Sequence, residues 1–291
     1  MTVVVFGNNY RKETLRQVEI LFRILKEYNI SVGIDPTFYT FLCNDLNFTP
    51  KVDFVLSNDD FQADLALSIG GDGTFLKTAS HIGNKNIPIL GINTGRLGFL
   101  ADISGEEIIA AFDDVLHNRY RVEERTVLQV KTSDSDSIYG YALNEVAVLK
   151  QDSSSMITIR TKLNEELLTD YQSDGLVVST PTGSTAYSMS VGGPLVLPQS
   201  KNLILSAVAP HSLNVRPLIV PDNFNIELEV NSRSGCYLIA LDGRSAVLDQ
   251  TTKVLIEKAD YTIKLLKREN YTFYNTLRNK LMWGVDKRTF E

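Results

Sequence analysis

Leu67-Ser68-Ile69-Gly70-Gly71-Asp72-Gly73-Thr74 is an apolar strand that runs into glycines around a single carboxylate. The segment Phe75-Leu76-Lys77-Thr78-Ala79-Ser80 that follows is helix-like. Glycines let a backbone adopt unusual φ values and approach a ligand closely. Their N–H groups, together with a helix N-terminus, suit an anion such as phosphate. A carboxylate in that cradle repels phosphate, so its presence needs a chemical reason. A bound cation or a proton to be abstracted would supply one. The segment points to phosphoryl transfer, with a plain strand–turn–helix and a capping Asp as the alternative.

Around this segment the chain alternates strand and helix. Residues 3–6, 64–69 and 87–92 are compact apolar runs. Residues 13–28 carry Leu15, Val18, Leu21, Phe22, Leu25 and Tyr28 at the spacing of one helical face. Residues 106–116 read as another helix, with Ile108, Ile109, Phe112 and Leu116 as its buried side. Such an order implies an α/β domain with a mainly parallel sheet, in which ligands sit beyond the carboxyl ends of the strands. The Gly70–Thr74 turn and the Asn93-Thr94-Gly95-Arg96-Leu97-Gly98-Phe99 turn both fall there.

Near Arg121 the pattern changes. Phe224, Ile226, Leu228 and Val230 alternate with polar residues at a period of two. Residues 237–241, 253–257 and 261–266 read as further strands, so the second half is expected to be an all-β domain. The expected division is an α/β domain over 1–122 and a β-rich domain over 123–267. The tail, about 268–291, packs back onto the first.

The chain has 291 residues with 43% hydrophobic and 22% charged, enough for two packed domains. A net charge of −6 argues against nucleic acid or an anionic membrane as partner. Cys43 and Cys236 lie far apart and read as free thiols of a reducing compartment. With no signal-peptide pattern at the N-terminus and no membrane-length apolar run, a cytoplasmic protein is expected.

A second constellation is Asp174-Gly175-Leu176-Val177-Val178-Ser179-Thr180-Pro181-Thr182-Gly183-Ser184-Thr185-Ala186-Tyr187-Ser188. Six of the nine residues from 180 to 188 bear hydroxyls. Helix capping accounts for one or two of them. The others suit ribose and adenine edges, and Tyr187 could stack on a base. Asn144-Glu145, inside a strand-like run, could hold a vicinal diol or be an edge-strand polar pair. His81, His117 and His211 form no metal pattern; His81 and His117 fall near helix ends, and His211 lies in a turn where it could touch a ligand. Neither G-x-x-x-x-G-K-[ST] nor an early G-x-G-x-x-G is present, which disfavours a P-loop kinase and a standard dehydrogenase.

Gly70–Thr74, Leu90–Leu100, Asn144-Glu145, residues 174–190, Pro210-His211-Ser212-Leu213-Asn214-Val215-Arg216-Pro217 and the ending Phe273–Leu281 with Trp283-Gly284 together closely resemble the NAD kinases. The double-glycine Asp turn is shared with lipid and sugar kinases; residues 180–188 and the ending single out NAD kinase. The resemblance implies that ATP, with a divalent cation, Mg²⁺ by default, phosphorylates the adenosine ribose 2′-hydroxyl of NAD to give NADP. Asp72 would be the base and Gly73 would hold phosphate. Phe99, Asn144, Glu145, Asp174, Thr185, Ala186, Tyr187, Ser188, Ser190, Ala209 and Arg244 would line the nucleotide sites. It also implies a homodimer or homotetramer. Gln172 stands where some relatives have Lys or Arg, and Arg244 where others have Gln. A lipid or sugar kinase of the same superfamily and a non-catalytic dinucleotide sensor are the other readings. The first lacks a basic amphipathic stretch for a membrane surface. The second has no use for an unpaired carboxylate beside phosphate.

Overall fold

The computed structural model describes residues 1–9, 14–95, 97–133, 140–151, 155–269 and 271–284. Glu13 at the expected start of the first helix, Arg96 of the second glycine turn, and residues 270 and 285–291 of the expected tail lie outside the described residues. The chain forms two compact units, Met1–Glu124 with Ile263–Glu291, and Arg125–Thr262.

The first unit opens with β1 (Thr2–Gly7), α1 (Leu15–Glu27), β2 (Ser31–Ile34), α2 (Pro36–Asn44) and β3 (Phe54–Val55). It continues with β4 (Leu65–Gly70), α3 (Asp72–Ile82), β5 (Ile89–Asn93), β6 (Ile103–Ser104) and α4 (Ile108–Leu116). The strands pair in parallel in the order β3-β2-β1-β4-β5, and β6 also pairs with β5. The central strands are predominantly apolar because both faces are covered; every residue of β4 and β5 is buried, Ser68 and Asn93 included. α2 is started by Asp35, whose carboxylate accepts the Phe38 N–H at 2.8 Å, with Pro36 at its first position.

Two expected core residues are exposed. Ile109 is 64% exposed, because the buried face of α4 is Ile108, Ala111, Phe112 and Val115, and position 109 lies one residue off that stripe. Tyr28 follows the last turn of α1 and is 53% exposed.

The second unit begins within β7 (Tyr120–Thr132) and holds β8 (Gly140–Ala142), β9 (Glu145–Lys150), β10 (Ile157–Leu163) and β11 (Glu166–Ser173). After β12 (Gly175–Ser179) come the single turn α5 (Tyr187–Ser190), β13 (Asn202–Val208), β14 (Leu218–Pro221), β15 (Ile226–Asn231), β16 (Cys236–Leu241) and β17 (Arg244–Asp249). One antiparallel sheet has the order β14-β13-β12-β9-β16-β17. β11, β10, β15 and β18 (Val254–Arg268) are antiparallel neighbours, and β7 pairs with β18 and β8. Alternate residues of both sets, including Val146, Val148, Ile157, Ile159, Leu228 and Ile239, form one core. Where two strands were expected over 253–266, β18 is a single strand of 15 residues. Lys258-Ala259-Asp260 looks like a polar break but contains no Gly or Pro, and extended backbone carries it through.

Ile263–Glu291 belongs with the first unit. There Leu265 pairs in parallel with Ile89, and α6 (Phe273–Leu281) follows, with Thr276 and Leu277 buried. Lys267 Nζ donates to Asp102 at 2.6 Å, Arg268 to Asp114 at 2.7 Å, and Tyr271 Oη to Glu107 at 2.6 Å.

Candidate functional site

In the first unit, α3 starts where β4 ends. Gly71 is its N-cap and Asp72 its first residue, so the carboxylate lies in the positive end of the helix dipole. The amides of the first helical turn have no partner within the helix. A Cβ on Gly71 or Gly73 would meet nothing within 4 Å. The protein leaves space there, as a backbone cradle for a phosphate requires.

The Asp72 side chain is not the unpaired carboxylate that the sequence suggested. Oδ2 accepts the Phe99 N–H at 2.9 Å; Oδ1 accepts those of Leu100 and Ala101 at 3.0 and 3.1 Å. Lys280 Nζ, on α6, reaches Oδ2 at 3.3 Å. The amides come from residues 99–101, in the loop beyond the carboxyl end of β5. This loop is itself clamped: the Ala101 carbonyl accepts from Gly98 N–H and Asn93 Nδ2, both at 3.1 Å. The buried Lys267 ammonium donates to the Leu100 carbonyl at 3.3 Å as well as to Asp102. Gly98 is required by close approach: a Cβ there would lie 2.0 Å from Asp72 Oδ1. Phe99 supplies its amide to Asp72, while its ring packs on Phe273 and under Lys280.

The second unit repeats this device. Asp242, at positive φ in the β16–β17 turn, accepts the N–H groups of Leu143, Asn144 and Glu145 at 2.7, 2.8 and 3.1 Å. These bonds fix the step from β8 to β9 and so the direction of the Asn144 and Glu145 side chains. β9 lies between β12 and β16, so the pair is not on a sheet edge. Asn144 Oδ1 and Glu145 Oε2 are buried and have no hydrogen-bond partner. An unmade buried acceptor is costly, and both atoms can accept a hydrogen bond from a donor outside the chain.

Burial, with the Asp242 charge second, pushes the Glu145 carboxyl up to about 7, although the Tyr187 N–H bond favours the ionised form. Burial likewise raises Asp242 against its three N–H bonds. Because Glu145 is raised in the fold, its contribution to stability is fully present below pH 4.5 and is lost as pH rises through about 7. Glu145→Gln is therefore expected to remove much of the stability difference between pH 5 and pH 8, roughly 3 kcal/mol for a shift of this size. Thermal unfolding at the two pH values checks this; an equal pH dependence in both proteins would show that Glu145 does not carry it.

The hydroxyl-rich segment does not open a long helix. A 3₁₀ turn at Thr182–Thr185 breaks at Ala186 before the single turn Tyr187–Ser190. Much of its hydroxyl content is structural. Thr180 Oγ1 donates to the Leu143 carbonyl at 2.6 Å and accepts the Gly183 N–H at 3.2 Å. Ser184 exchanges bonds with Val196, and Ser188, fully buried, bonds Ser206 at 3.3 Å. Ser188 is thus turned inward, toward Ser206. Thr185, Ala186 and Tyr187 are half-buried and Ser190 is exposed. Thr182 Oγ1 is another buried atom without a partner.

Asp174 forms an ion pair with Lys150 at 2.7 Å. Ala209 is exposed and holds a positive φ of 44°, a conformation that costs a non-glycine residue energy. Arg244 is tied to the carbonyls of Tyr141 and Leu241 at 2.5 and 3.3 Å, facing the Asp242 carboxylate. His81 pairs with Asp59 and stacks on Phe6, and His117 caps α4 against Asp113; the His211 N–H donates to the Gln172 carbonyl at 2.9 Å. Asp242, Gly98 and Lys280 are the residues that sequence reasoning passed over. Asp242-Gly243 carried a signal, because this dipeptide marks a hairpin turn.

The model for the ATP-NAD kinase N-terminal domain matches residues 3–120, and that for the ATP-NAD kinase C-terminal domain matches 143–268. The chain is 51% identical to an NAD kinase of Bacteroides fragilis over 289 residues, covering 99% of this chain and 100% of that one. It is 43% identical to an NAD kinase of Porphyromonas gingivalis, covering 98% and 99%. Among solved structures, yeast NADH kinase complexed with NADH shares the fold, with a TM-score of 0.91 at 23% identity, covering 100% of this chain and 90% of that one. An NAD kinase from Archaeoglobus fulgidus in complex with ATP matches with a TM-score of 0.73 at 26% identity, covering 97% and 99%.

Proposed function

The chain belongs to the NAD kinase family, and on that premise we propose how its residues divide the work of phosphorylating NAD with ATP. The adenosine ribose 2′-hydroxyl oxygen forms a bond to the γ-phosphorus of ATP. The bond from that phosphorus to the β–γ bridging oxygen breaks, and its electron pair leaves with ADP. The hydroxyl proton passes to Asp72. A carboxylate is far too weak a base to remove that proton in advance. In a loose phosphoryl-transfer transition state the proton leaves late, so the position of Asp72 matters more than its basicity.

The amide nest gives the carboxylate a fixed position, and the α3 N-terminus with the space at Gly71 and Gly73 takes phosphate. Asn144 Oδ1 and Glu145 Oε2 would accept from the hydroxyls of a ribose, while Tyr187, with Thr185, Ala186, Ser190, Asp174, Ala209 and Arg244, lines the dinucleotide. The buried, partnerless acceptors of Asn144 and Glu145 carry this assignment. Among the described residues no group of three or more His, Cys, Asp or Glu gathers where it could hold a metal ion. Mg²⁺ therefore fits as a companion of the triphosphate, where it neutralises phosphate charge. The reading includes a cytoplasmic enzyme that assembles as a homodimer or homotetramer; among the described residues no helix is long and apolar enough to cross a membrane.

NADP formation from NAD, ATP and Mg²⁺, followed with an NADP-specific dehydrogenase, tests the proposal. NADP accumulating with one ADP per turnover is the expected result. NAD that binds but stays unphosphorylated with both ATP and polyphosphate would favour a sensor.

A further inference from the structure

An ionised carboxylate offers about four acceptor sites. Asp72 fills all of them: Phe99 N–H and Lys280 Nζ on Oδ2, Leu100 and Ala101 N–H on Oδ1. Three donors belong to a backbone loop clamped by Asn93 and by the buried Lys267. They cannot leave without opening that loop. The fourth differs in kind. Lys280 is a half-exposed side chain with the longest of the four bonds, and the Phe99 ring lies 4.7 Å from its ammonium. Phe99 gives the ammonium a second place to rest when it lets go of the carboxylate.

We infer that Lys280 is a positioning residue for Asp72: its ammonium occupies the acceptor site on Oδ2 that a substrate hydroxyl must take, and is displaced from it when that hydroxyl binds. The exchange breaks one N–H···O bond and forms one O–H···O bond, and the ammonium keeps all its protons. While Lys280 is in place it also cancels the carboxylate charge that would otherwise repel a phosphate entering the glycine cradle. The inference rests on the reading above, in which the hydroxyl is the 2′-hydroxyl of NAD.

Because a hydroxyl gains its bond to Asp72 only by removing another, that hydroxyl should add little to NAD affinity in the native enzyme. Binding of NAD and of its adenosine 2′-deoxy analogue to the full chain, measured by calorimetry, reads this directly. Native protein is expected to bind the two within about twofold. In Lys280→Met the acceptor is free, and the preference for NAD should rise to about ten- to a hundredfold, as expected for a hydrogen bond to a charged group. Lys280→Arg, which keeps a donor, should behave like the native protein. Asp72→Asn combined with Lys280→Met should return the ratio to about two. Lys280→Ala serves if the Met variant does not fold. A ratio that Lys280→Met leaves unmoved, or one already large in the native protein, overturns the inference while NAD binding stands. Failure of native protein to bind NAD overturns the functional reading, and this inference with it.

Discussion

Asp72→Asn is expected to lower kcat by about 10²- to 10⁴-fold, the usual range for a positioned acid or base, and to leave NAD affinity within about threefold. The amide nest makes the variant informative. Asn keeps one carbonyl acceptor but turns an NH₂ group toward backbone N–H donors, so part of the nest is left unmade. The cost of that mismatch, about 1–3 kcal/mol, falls on residues 98–102 of the first unit and should appear as a lower unfolding temperature. Measuring kcat, NAD binding and thermal unfolding on the same preparation separates lost chemistry from a loosened loop. A kcat within tenfold of native would remove Asp72 from the role of base, whatever the loop does.

The parts of this molecule that were legible in the sequence are those written in side chains along one segment. The apolar runs that became β1, β4 and β5 gave the parallel sheet, and the glycine turns at 70–74 and 93–99 gave the strand ends at which the proposed site is placed. Asn144-Glu145 stood out because a polar pair interrupted a strand. What holds these groups was not legible. Backbone N–H groups carry no residue signature, so nothing announced that residues 99–101 would bind Asp72.

Long separations hid the rest. Lys280 is 208 residues from its partner, and Asp242 lies 97 to 99 residues beyond the amides it orients. Hydroxyls in 180–188 were legible as a cluster, but not which pointed inward: Ser188 and Ser190 are the same residue type two positions apart, one fully buried and the other exposed. Ile109 was misplaced for a related reason, since next to Ile108 it adds hydrophobicity without sharing its face.

Gly98→Ala is the other substitution with a large expected effect, and its force comes from comparison with Gly73→Ala. At Gly98 the new methyl would lie 2.0 Å from Asp72 Oδ1 and 2.8 Å from the Ala101 carbonyl oxygen. The second contact is backbone, in a loop already fixed by Asn93 and Lys267, so rotating Asp72 away does not relieve it. Either the carboxylate leaves its nest or the loop opens, and both misplace the base. Overpacking of this kind costs about 1–3 kcal/mol of stability, and displacement of the reacting group by an ångström is enough to lower kcat by about 10²-fold. At Gly73 the added methyl meets nothing within 4 Å and lies in the first turn of α3. Alanine there should leave the unfolding temperature unchanged or slightly higher, since it favours helix, and yet raise KM for ATP by crowding the phosphate cradle. Steady-state kinetics and thermal unfolding of the two variants side by side therefore distinguish a glycine kept for the protein's own packing from one kept for its ligand. If Gly73→Ala were to bind ATP as well as the native chain does, the space beside α3 would not be the phosphate site.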